Sequence, residues 1–329
     1  MTDRSLVLMG TAHVHLDDHL RVLGEEGWQV SHVHDRDTAR RDAFCGRLGA
    51  APLDDLGALA DTQALGAIVC SETAFHEADI AAALRAGLPV FTEKPLAGSA
   101  AAARRCAELA EDRGLLLQTG YFMRTNPGFA TIRGWIVDGA IGSAHEARMR
   151  FSHDGGFADW LDLDAWMTEP ARACYGGFAD EAVHAIDMLQ WLLGPAVEGA
   201  ARTGNALGWP LDDHGAAVLY FTDGATGVVE AGWTDTSMRL ELDLTGSEGA
   251  IRLSDGRTHL LRRGEDGVAK TVDLAPLDAG EGSRPFLHAL EGADPTGLVP
   301  PRDAAYVNAL LDAMGLRLIE EEDDAEAVE

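Results

Sequence analysis

The sequence predicts an α/β protein of two domains, in which a doubly wound parallel sheet is followed by an α+β domain with antiparallel strands. Its 329 residues exceed the length that one hydrophobic core usually serves. Strand-like and helix-like segments alternate up to about residue 120, whereas short segments of alternating polarity follow residue 121. We therefore expect one domain over residues 1–120 and a second over residues 121–329.

Five short apolar segments in the first part are typical of buried strands, and they cover residues 5–9, 28–33, 64–70, 88–91 and 115–118. Helical segments rich in alanine and arginine lie between them, such as residues 75–86 and 99–112. Strands that alternate with helices of about 10–15 residues indicate βαβ units, and therefore a parallel sheet with helices on both faces. Such sheets bind ligands beyond the carboxyl ends of their strands.

The second part shows the period of two that is typical of half-buried strands. These segments cover residues 143–151, 216–221, 227–233, 238–245, 250–253 and 258–262, and Gly/Asp turns between them indicate an antiparallel meander. A helix is predicted over residues 180–193, because Gly194 and Pro195 form a helix stop. A last helix over residues 303–319 is expected to close the fold.

Composition excludes several function classes. The formal net charge of −28 argues against a nucleic-acid partner, because phosphates would be repelled. No apolar run approaches the ~18 residues of a membrane span, and no signal-peptide pattern precedes the first strand. The four cysteines lack metal-ligand spacing and are too sparse for a disulfide framework. We therefore expect a cytoplasmic protein with reduced thiols, no membrane contact and a solvated acidic tail over residues 320–326.

Lys94 is conspicuous because the chain has 26 lysines and arginines, of which only Lys94 and Lys270 are lysines. It lies in Glu93-Lys94-Pro95, directly after the fourth predicted strand. An ammonium is a compact point donor that fits where a guanidinium fork does not. Pro95 disfavours a helical backbone at Lys94 and so restricts it to an extended conformation. The position therefore indicates a site at the carboxyl edge of the sheet that needs a small cationic donor.

The first predicted turn, residues 10–15, only partly matches the glycine pattern of a dinucleotide site. That pattern, G-x-G-x-x-G, lets the backbone approach a pyrophosphate at a helix N-terminus. Gly10 is kept, but Ala12 and His15 occupy the second and third glycine positions. Asp35, at the end of the second strand, suits a ribose-diol acceptor and favours NAD, whereas Arg36 could accept the 2′-phosphate of NADP.

The helix over residues 180–193 carries a second candidate site. Asp180, His184 and Asp187 are spaced i, i+4 and i+7, so they share one face. A histidine flanked by carboxylates has a raised proton affinity and a fixed tautomer, which suits a general base. The alternative interpretation is an amphipathic helix whose polar face simply contacts solvent.

A metal site is the third interpretation. His13 and His15, with His19 nearby, could ligate a metal after the first strand, as in metal-dependent hydrolases. Further ligands could come from His76, His184 or His214. Lone histidines are more often accommodated without a metal, so we expect none.

Together these residues resemble the glucose–fructose oxidoreductase / inositol dehydrogenase / MocA family over nearly the whole chain. One anchor is Glu93-Lys94-Pro95, and the other is Gly176-Gly177-x-x-Asp180-x-x-x-His184-x-x-Asp187. Supporting matches are His76 in the third loop, Gly120-Tyr121-Phe122-x-Arg124 at the domain junction and the segment 246–250. The resemblance implies an N-terminal Rossmann domain and a C-terminal domain with a large, mostly antiparallel open sheet. It also implies a homo-oligomer, dimer or tetramer, that contacts through this sheet.

The resemblance further implies an NAD(P)-dependent dehydrogenase that transfers a hydride between nicotinamide and a secondary alcohol or ketone of a sugar or polyol. His184 would take the hydroxyl proton, Lys94 would bind the reacting oxygen, and Asp180 would bind substrate and hold these groups. The residues expected at the cofactor are Gly10, Thr11, Ala12, His13, His15, Asp35, Arg36, Ser71, Thr73, His76, Glu93 and Lys94. The residues expected at the substrate are Tyr121, Arg124, Trp160, Trp166, Arg172, Asp180 and His184.

Alternative functions on the same fold stay open because fold does not fix function. The altered first turn is compatible with a non-catalytic sensor that binds a cofactor or another ligand. Relatives of this family also include NAD-dependent glycosidases that use a transient oxidation. Retention of Lys94, Asp180 and His184 together favours catalysis, because a protein that only binds needs no acid–base set.

Overall fold

The computed structural model describes residues 4–158, 160–161, 166–293 and 297–319. Two sheets organise this part of the chain, one of six strands and one of eight. The six-stranded sheet is built before residue 120 and the eight-stranded sheet after residue 143. No helix in the described ranges is long and apolar enough to cross a membrane.

The first sheet is parallel throughout, as predicted, with strand order β3-β2-β1-β4-β5-β6. Its strands are β1 (Ser5–Met9), β2 (Gln29–His34), β3 (Ala51–Pro52), β4 (Gly66–Val69), β5 (Val90–Thr92) and β6 (Leu117–Thr119). Its helices are α1 (Leu16–Glu25), α2 (Thr38–Leu48), α3 (His76–Arg85) and α4 (Ala100–Arg113). Every residue of β1 and β4 is buried, because helices cover both faces of a doubly wound sheet. A sheet of this kind binds ligands where the strand order reverses, which here is beyond the carboxyl ends of β1 and β4.

The second sheet is mostly antiparallel, with order β14-β13-β12-β11-β7-β10-β9-β8. Its strands are β7 (Ala144–Ser152), β8 (Ala196–Gly204), β9 (His214–Phe221), β10 (Thr226–Gly232), β11 (Arg239–Gly246), β12 (Gly249–Ser254), β13 (Arg257–Arg262) and β14 (Lys270–Asp273). The expected meander is interrupted, because β7 lies between β11 and β10 and pairs with β10 in parallel. The helices of this part are α5 (Pro127–Val137), α6 (Pro170–Ala173), α7 (Gly177–Leu193), α8 (Arg284–Leu290) and α9 (Pro301–Ala313).

The two faces of the second sheet differ in polarity. Met149, Val229 and Leu242 are fully buried, and α7 packs against β7 and β10. On the strands' other face Arg148 donates to Glu230 (2.7 Å) and to Glu241 (3.4 Å). An oligomer contact through this outer face stays a prediction. The ion pairs of Arg148 with Glu230 and Glu241 would lie within such a contact.

The long helix α7 begins at Gly177, three residues before the predicted start. The carboxylate of Asp212 accepts a hydrogen bond from the amide of Phe178 (2.8 Å), and the Asp212 carbonyl accepts one from Gly177 (2.7 Å). The cap therefore comes from a residue distant in sequence, on the segment before β9. Local sequence signals do not reveal a cap of this kind.

The last helix is shorter than predicted, because α9 ends at Ala313 rather than at residue 319. Gly315 adopts a left-handed backbone (φ 72°), which ends a helix at low steric cost. The following residues run back to the start of α7, where Leu318 donates to the carbonyl of Cys174 (2.9 Å). The acidic segment 320–326 lies outside the described residues.

A buried ion pair ties the junction of the two sheets together. Arg124, just after β6, donates to both carboxylate oxygens of Asp187 on α7 (2.9 and 2.7 Å). A third contact reaches Asp303 of α9 (3.1 Å). The side chains of Arg124 and Asp187 are 3% and 1% exposed, so each charge depends on the other. Truncating one partner of such a pair is costly because it leaves an uncompensated buried charge.

We therefore expect Asp187→Ala to lower the free energy of unfolding by about 3–5 kcal/mol, as is usual when one partner of a buried pair is removed. The matched control is Glu77→Ala, which removes the partner of Arg105 (2.6 Å) in a pair that is 54% and 35% exposed. That change should cost less than about 1 kcal/mol. Urea unfolding followed by circular dichroism measures both, and equal losses would contradict the assignment of Arg124–Asp187 as a structural pair.

Candidate active site

A cleft of about 400 Å³ opens where the carboxyl edge of the first sheet faces α7. His13 and His15 of the first turn line it, together with Lys94, Asp180 and His184. These five residues come from distant parts of the sequence, and all five are among the site residues that the sequence predicts.

Lys94 follows β5 and is 3% exposed. Its Nζ donates to the carboxylate of Asp180 (2.7 Å) and to the Asp180 backbone carbonyl (3.1 Å). Burial alone would lower the pKa of Lys94, but the carboxylates of Asp180, Glu181 and Glu93 outweigh it and raise the pKa above its usual value. Lys94 is therefore a fixed cation at the cleft wall.

Asp180 lies in the first turn of α7 and keeps 17% of its side chain exposed. Its second carboxylate oxygen accepts a hydrogen bond from Trp233 Nε1 (3.0 Å), at the end of β10. Burial opposes ionisation, but the charge and hydrogen bond of Lys94, with the Trp233 bond, lower the pKa of Asp180. The carboxylate is thus ionised and held by residues of both sheets.

His184 lies one turn further along α7 and is 2% exposed. Three aromatic rings surround it, with centroid separations of 6.1 Å to Tyr121, 4.8 Å to Phe122 and 5.5 Å to Phe151. The predicted rise in proton affinity is wrong, because burial first, and then the charge of Lys94, lower the pKa of His184 well below its usual value. The imidazole is neutral at neutral pH and can accept a proton.

Asp187 does not flank His184 as an electrostatic partner, since its carboxylate binds Arg124. Burial raises the pKa of Asp187 although Arg124 opposes the shift. Arg124, which the resemblance places at the substrate, already has two carboxylate partners within the protein, Asp187 and Asp303. A substrate contact by Arg124 stays a prediction.

The first turn keeps glycine where the backbone demands it. Gly10 has φ 78°, and a Cβ there would lie 2.3 Å from Ser71 Cα. The amides of Ala12 and His13 both donate to the Cys70 carbonyl (3.0 Å each). Two amides of the turn therefore hold it against the end of β4.

Asp35 and Arg36, the two candidates for the cofactor's ribose, are bound to neighbouring residues. Asp35 accepts hydrogen bonds from the amide and hydroxyl of Thr11 (2.8 and 2.7 Å), from the Asp37 amide (2.8 Å) and from Arg40 (3.0 Å). Arg36 donates to Asp79 (2.8 and 3.1 Å) and stacks on the Phe75 ring. Any contact of either residue with a ribose would compete with these bonds.

The third loop, which joins β4 to α3, carries the buried hydroxyl of Ser71. Ser71 Oγ is inaccessible and has no hydrogen-bond partner among the described residues. His76, the first residue of α3, places its ring nitrogens near two carbonyl oxygens, those of Pro95 (2.9 Å) and Ser71 (3.1 Å). Burial lowers the pKa of His76 although both carbonyls favour a proton. His76 thus connects the third loop to the segment after Lys94.

Glu93 gathers three histidines that the sequence leaves separate. Its Oε1 lies 2.6 Å from His19 Nε2 and 3.3 Å from His15 Nδ1, and its Oε2 lies 3.6 Å from His13 Nε2. Burial opposes the charge of Glu93, but the neighbouring histidines and their hydrogen bonds lower its pKa well below the usual range. Burial lowers the pKa of His13 to about 3, so this imidazole is neutral.

The remaining substrate candidates occupy different surroundings. Trp160 is 52% exposed at the cleft mouth, while Trp166 is buried and its Nε1 donates to the Ala12 carbonyl (3.0 Å). Tyr121 is buried behind His184, and burial raises its pKa. Thr73 lines a small cavity with Trp166 and Trp233. Arg172 is half exposed and contacts Glu169 (3.1 Å) and Glu72 (3.8 Å).

The structure adds cleft residues that the sequence analysis did not single out. His153, after β7, binds Glu181 of α7 (2.9 Å), and both line the cleft. Phe151 packs against His184, and Trp233 binds Asp180. No local motif marks these residues, because they reach the cleft through sheet register and not through spacing along the chain.

Two family models match most of the chain between them. Residues 5–121 match the model described as "Oxidoreductase family, NAD-binding Rossmann fold", and residues 129–252 match "GFO/IDH/MocA C-terminal domain". The fold and site thus define a protein in which a dinucleotide-binding type of sheet is followed by a large open sheet. The chain belongs to the glucose–fructose oxidoreductase / inositol dehydrogenase / MocA family.

Individual relatives agree with this assignment. The chain is 30% identical to Myo-inositol dehydrogenase Hyg17 of Streptomyces leeuwenhoekii over 210 residues, which are 62% of this chain and 61% of that relative. GenD2 from gentamicin A biosynthesis, solved in complex with NAD, is 25% identical with a TM-score of 0.75, covering 95% of this chain and 93% of that one.

An oxidoreductase domain protein from Kribbella flavida has a TM-score of 0.80 at 23% identity, with 96% of each chain covered, and it shows the fold alone. The chain spans about one half to three fifths of the length of the first curated relatives that it matches.

The pair His153–Glu181 predicts a pH effect on stability. Burial would lower the pKa of His153, but the hydrogen bond and charge of Glu181 outweigh it and raise the pKa. A raised folded-state pKa adds stability that is fully present below pH ~6.5 and is lost as pH rises through the folded-state pKa. Glu181→Gln should therefore destabilise the protein more at pH 5.5 than at pH 8.5, as measured by urea unfolding.

The control for this experiment is Glu169→Gln, which weakens the exposed contact with Arg172. An arginine does not titrate in this range, so its effect should be the same at both pH values. A Glu181→Gln effect that is independent of pH, or larger at pH 8.5, would contradict the raised pKa of His153.

Proposed function

We propose that the protein is an NAD(P)-dependent oxidoreductase acting on a secondary alcohol or ketone of a polyol, sugar or related compound. The observation that carries the proposal is the set Lys94, Asp180 and His184, which meets in one cleft at the carboxyl edge of a parallel sheet. Family membership and the relatives named above support this class of reaction.

In the proposed mechanism, His184 accepts the proton of the substrate hydroxyl. Its lowered pKa keeps the imidazole unprotonated, and the surrounding aromatic rings leave it only 2% exposed. Lys94 stands ready to stabilise negative charge on the reacting oxygen, because Asp180 fixes its ammonium at the cleft wall. A bound nicotinamide dinucleotide would supply the hydride acceptor or donor.

Some of the residues expected at the dinucleotide are available to bind it, whereas others already have partners within the protein. Ser71 Oγ, buried and without a partner beside Gly10, is a donor that such a ligand could satisfy. Lys94, shortly after β5, lines the cleft, and the buried Glu93 directly before it contacts the cleft-lining His13 and His15. At the ribose end, the carboxylate of Asp35 would repel a 2′-phosphate, and Arg36 is already paired with Asp79. We therefore favour NAD over NADP.

A hydroxyl-rich, uncharged substrate suits the cleft. Its lining combines the carboxylates Asp18, Asp180, Glu181 and Asp278 with the cations Arg21 and Lys94. Carboxylates and histidines accept and donate hydrogen bonds to hydroxyl groups, whereas an anionic substrate would meet several negative charges. A relative of the chain is named a myo-inositol dehydrogenase, and inositols are the first compounds to test.

Replacing either proposed catalytic side chain should abolish most activity without unfolding the protein. We expect Lys94→Ala and His184→Ala each to lower turnover ~10²–10⁴-fold, the usual contribution of a positioned acid–base group. Absorbance of NADH during oxidation of an inositol or sugar panel measures turnover, and circular dichroism verifies folding. Lys270→Ala is the matched lysine control, because Lys270 is exposed on β14, and it should keep full turnover.

Two results would count against the proposal. Near-normal turnover of either variant on a verified substrate would refute the roles of Lys94 and His184. If the unmodified protein binds NADH or NADPH in a fluorescence titration but turns over no substrate of the panel, the sensor function is favoured instead. One observation favours this second function. The amides of Ala12 and His13 donate to the Cys70 carbonyl and are therefore not directed to a ligand.

A further inference from the structure

The first turn departs from the glycine pattern at the positions where it approaches Glu93. His15 occupies the third glycine position, and His13 lies two residues before it. Both imidazoles point to the same buried carboxylate. One ligand atom from each of His13, His15 and Glu93 falls within 4.8 Å of the others. This arrangement brings two imidazoles and one carboxylate to one point at the cleft.

Two of the separations, one to each oxygen of Glu93, are close to those between ligands of one metal ion. Ligand nitrogen and oxygen atoms about 2.1 Å from a tetrahedral ion lie about 3.4 Å apart. The distance from Glu93 Oε2 to His13 Nε2 is 3.6 Å, and the distance from Glu93 Oε1 to His15 Nδ1 is 3.3 Å. The first of these is too long for a hydrogen bond, so a direct bond does not explain why His13 faces Glu93.

The carboxylate is held as metal-binding carboxylates usually are. His19 Nε2 lies 2.6 Å from Glu93 Oε1, and the amide of Lys94 donates to Oε2 (2.9 Å). Such outer contacts orient a ligand and tune its affinity for a metal. His19 is fully buried against the Phe91 ring, and its Nε2 contacts the same carboxylate oxygen of Glu93 as His15 Nδ1 does.

Access and charge also suit a cation. His13 and His15 both line the cleft, and His15 is 26% exposed, so an ion bound there would keep positions open to the cleft. Asp18, Asp180 and Glu181 line the same space. The ammonium of Lys94 opposes a second cation, but Asp180 neutralises it at 2.7 Å.

We propose that His13, His15 and Glu93 form a binding site for a divalent transition-metal ion whose open coordination positions face the cleft. Two histidines and one carboxylate suit zinc and cobalt, and also iron(II). Binding through His13 Nε2 would move the ring proton to Nδ1. That shift ends the long contact (3.3 Å) in which the His15 amide donates to His13 Nδ1.

The test uses the full-length protein, freed of metal by chelation and dialysis, without any nicotinamide. Titration with Zn²⁺ by calorimetry, and with Co²⁺ by visible absorption, should show about one ion bound per chain. His15→Ala should lose this binding, and it is the first variant to make because His15 is the most exposed of the three ligands. His19→Gln should weaken binding ~10–100-fold, as expected for a residue that only positions a ligand.

His145→Ala is the matched control, because His145 lies exposed near the start of β7. It should bind Zn²⁺ and Co²⁺ as the unmodified protein does. Circular dichroism of each variant separates lost binding from lost folding. The metal site is refuted if the metal-free protein binds neither ion, or if folded His15→Ala binds them as tightly as the unmodified protein.

Oxygen ligands would complete the coordination, and they could come from a substrate diol or from a pyrophosphate. This extension rests on the proposed function. We expect myo-inositol or inorganic pyrophosphate to change the visible spectrum of bound Co²⁺, and the responding probe identifies the source. No change with either probe would overturn the open coordination. Because metal binding is measured without nicotinamide, a protein that binds metal but oxidises no polyol would refute the proposed function alone.

Discussion

The bond from Lys94 Nζ to Asp180 joins the carboxyl end of β5 to the first turn of α7 and so fixes one sheet against the other. Both groups are ionised, because the charge of each offsets part of the cost of burying the other. Trp233 extends the contact to the end of β10. The position of His184, one turn along α7, follows from this contact, and the cleft between the two sheets takes its shape from it.

Polar groups on the same helix differ in their partners and in their pKa shifts, because their surroundings differ. Along α7, Asp180 is an ionised partner of a lysine, His184 is a neutral ring among aromatic side chains, and Asp187 binds an arginine. On the facing turn, one carboxylate, Glu93, collects three imidazoles. The environment of each group, and not its residue type, sets its proton affinity.

The first turn separates backbone requirements from ligand requirements. Gly10 is retained because a Cβ there would overlap Ser71. The second and third glycine positions are needed for close approach to a pyrophosphate and for close helix packing, and in this chain they hold Ala12 and His15. The chain therefore keeps the fold of its family while it changes the chemistry that this turn presents to the cleft.

The sequence by itself determined the fold class, with a parallel sheet followed by a mostly antiparallel one, because period and motif order are local signals. It also singled out Lys94, Asp180 and His184 as candidates for acid–base chemistry. The tertiary structure decided what those signals leave open. It capped α7 with Asp212, ended α9 at Ala313, paired Arg124 with Asp187 and reversed the expected pKa shift of His184. It also brought His13, His15 and His19 to Glu93. These outcomes depend on burial and on contacts between distant residues, which spacing along a chain does not encode.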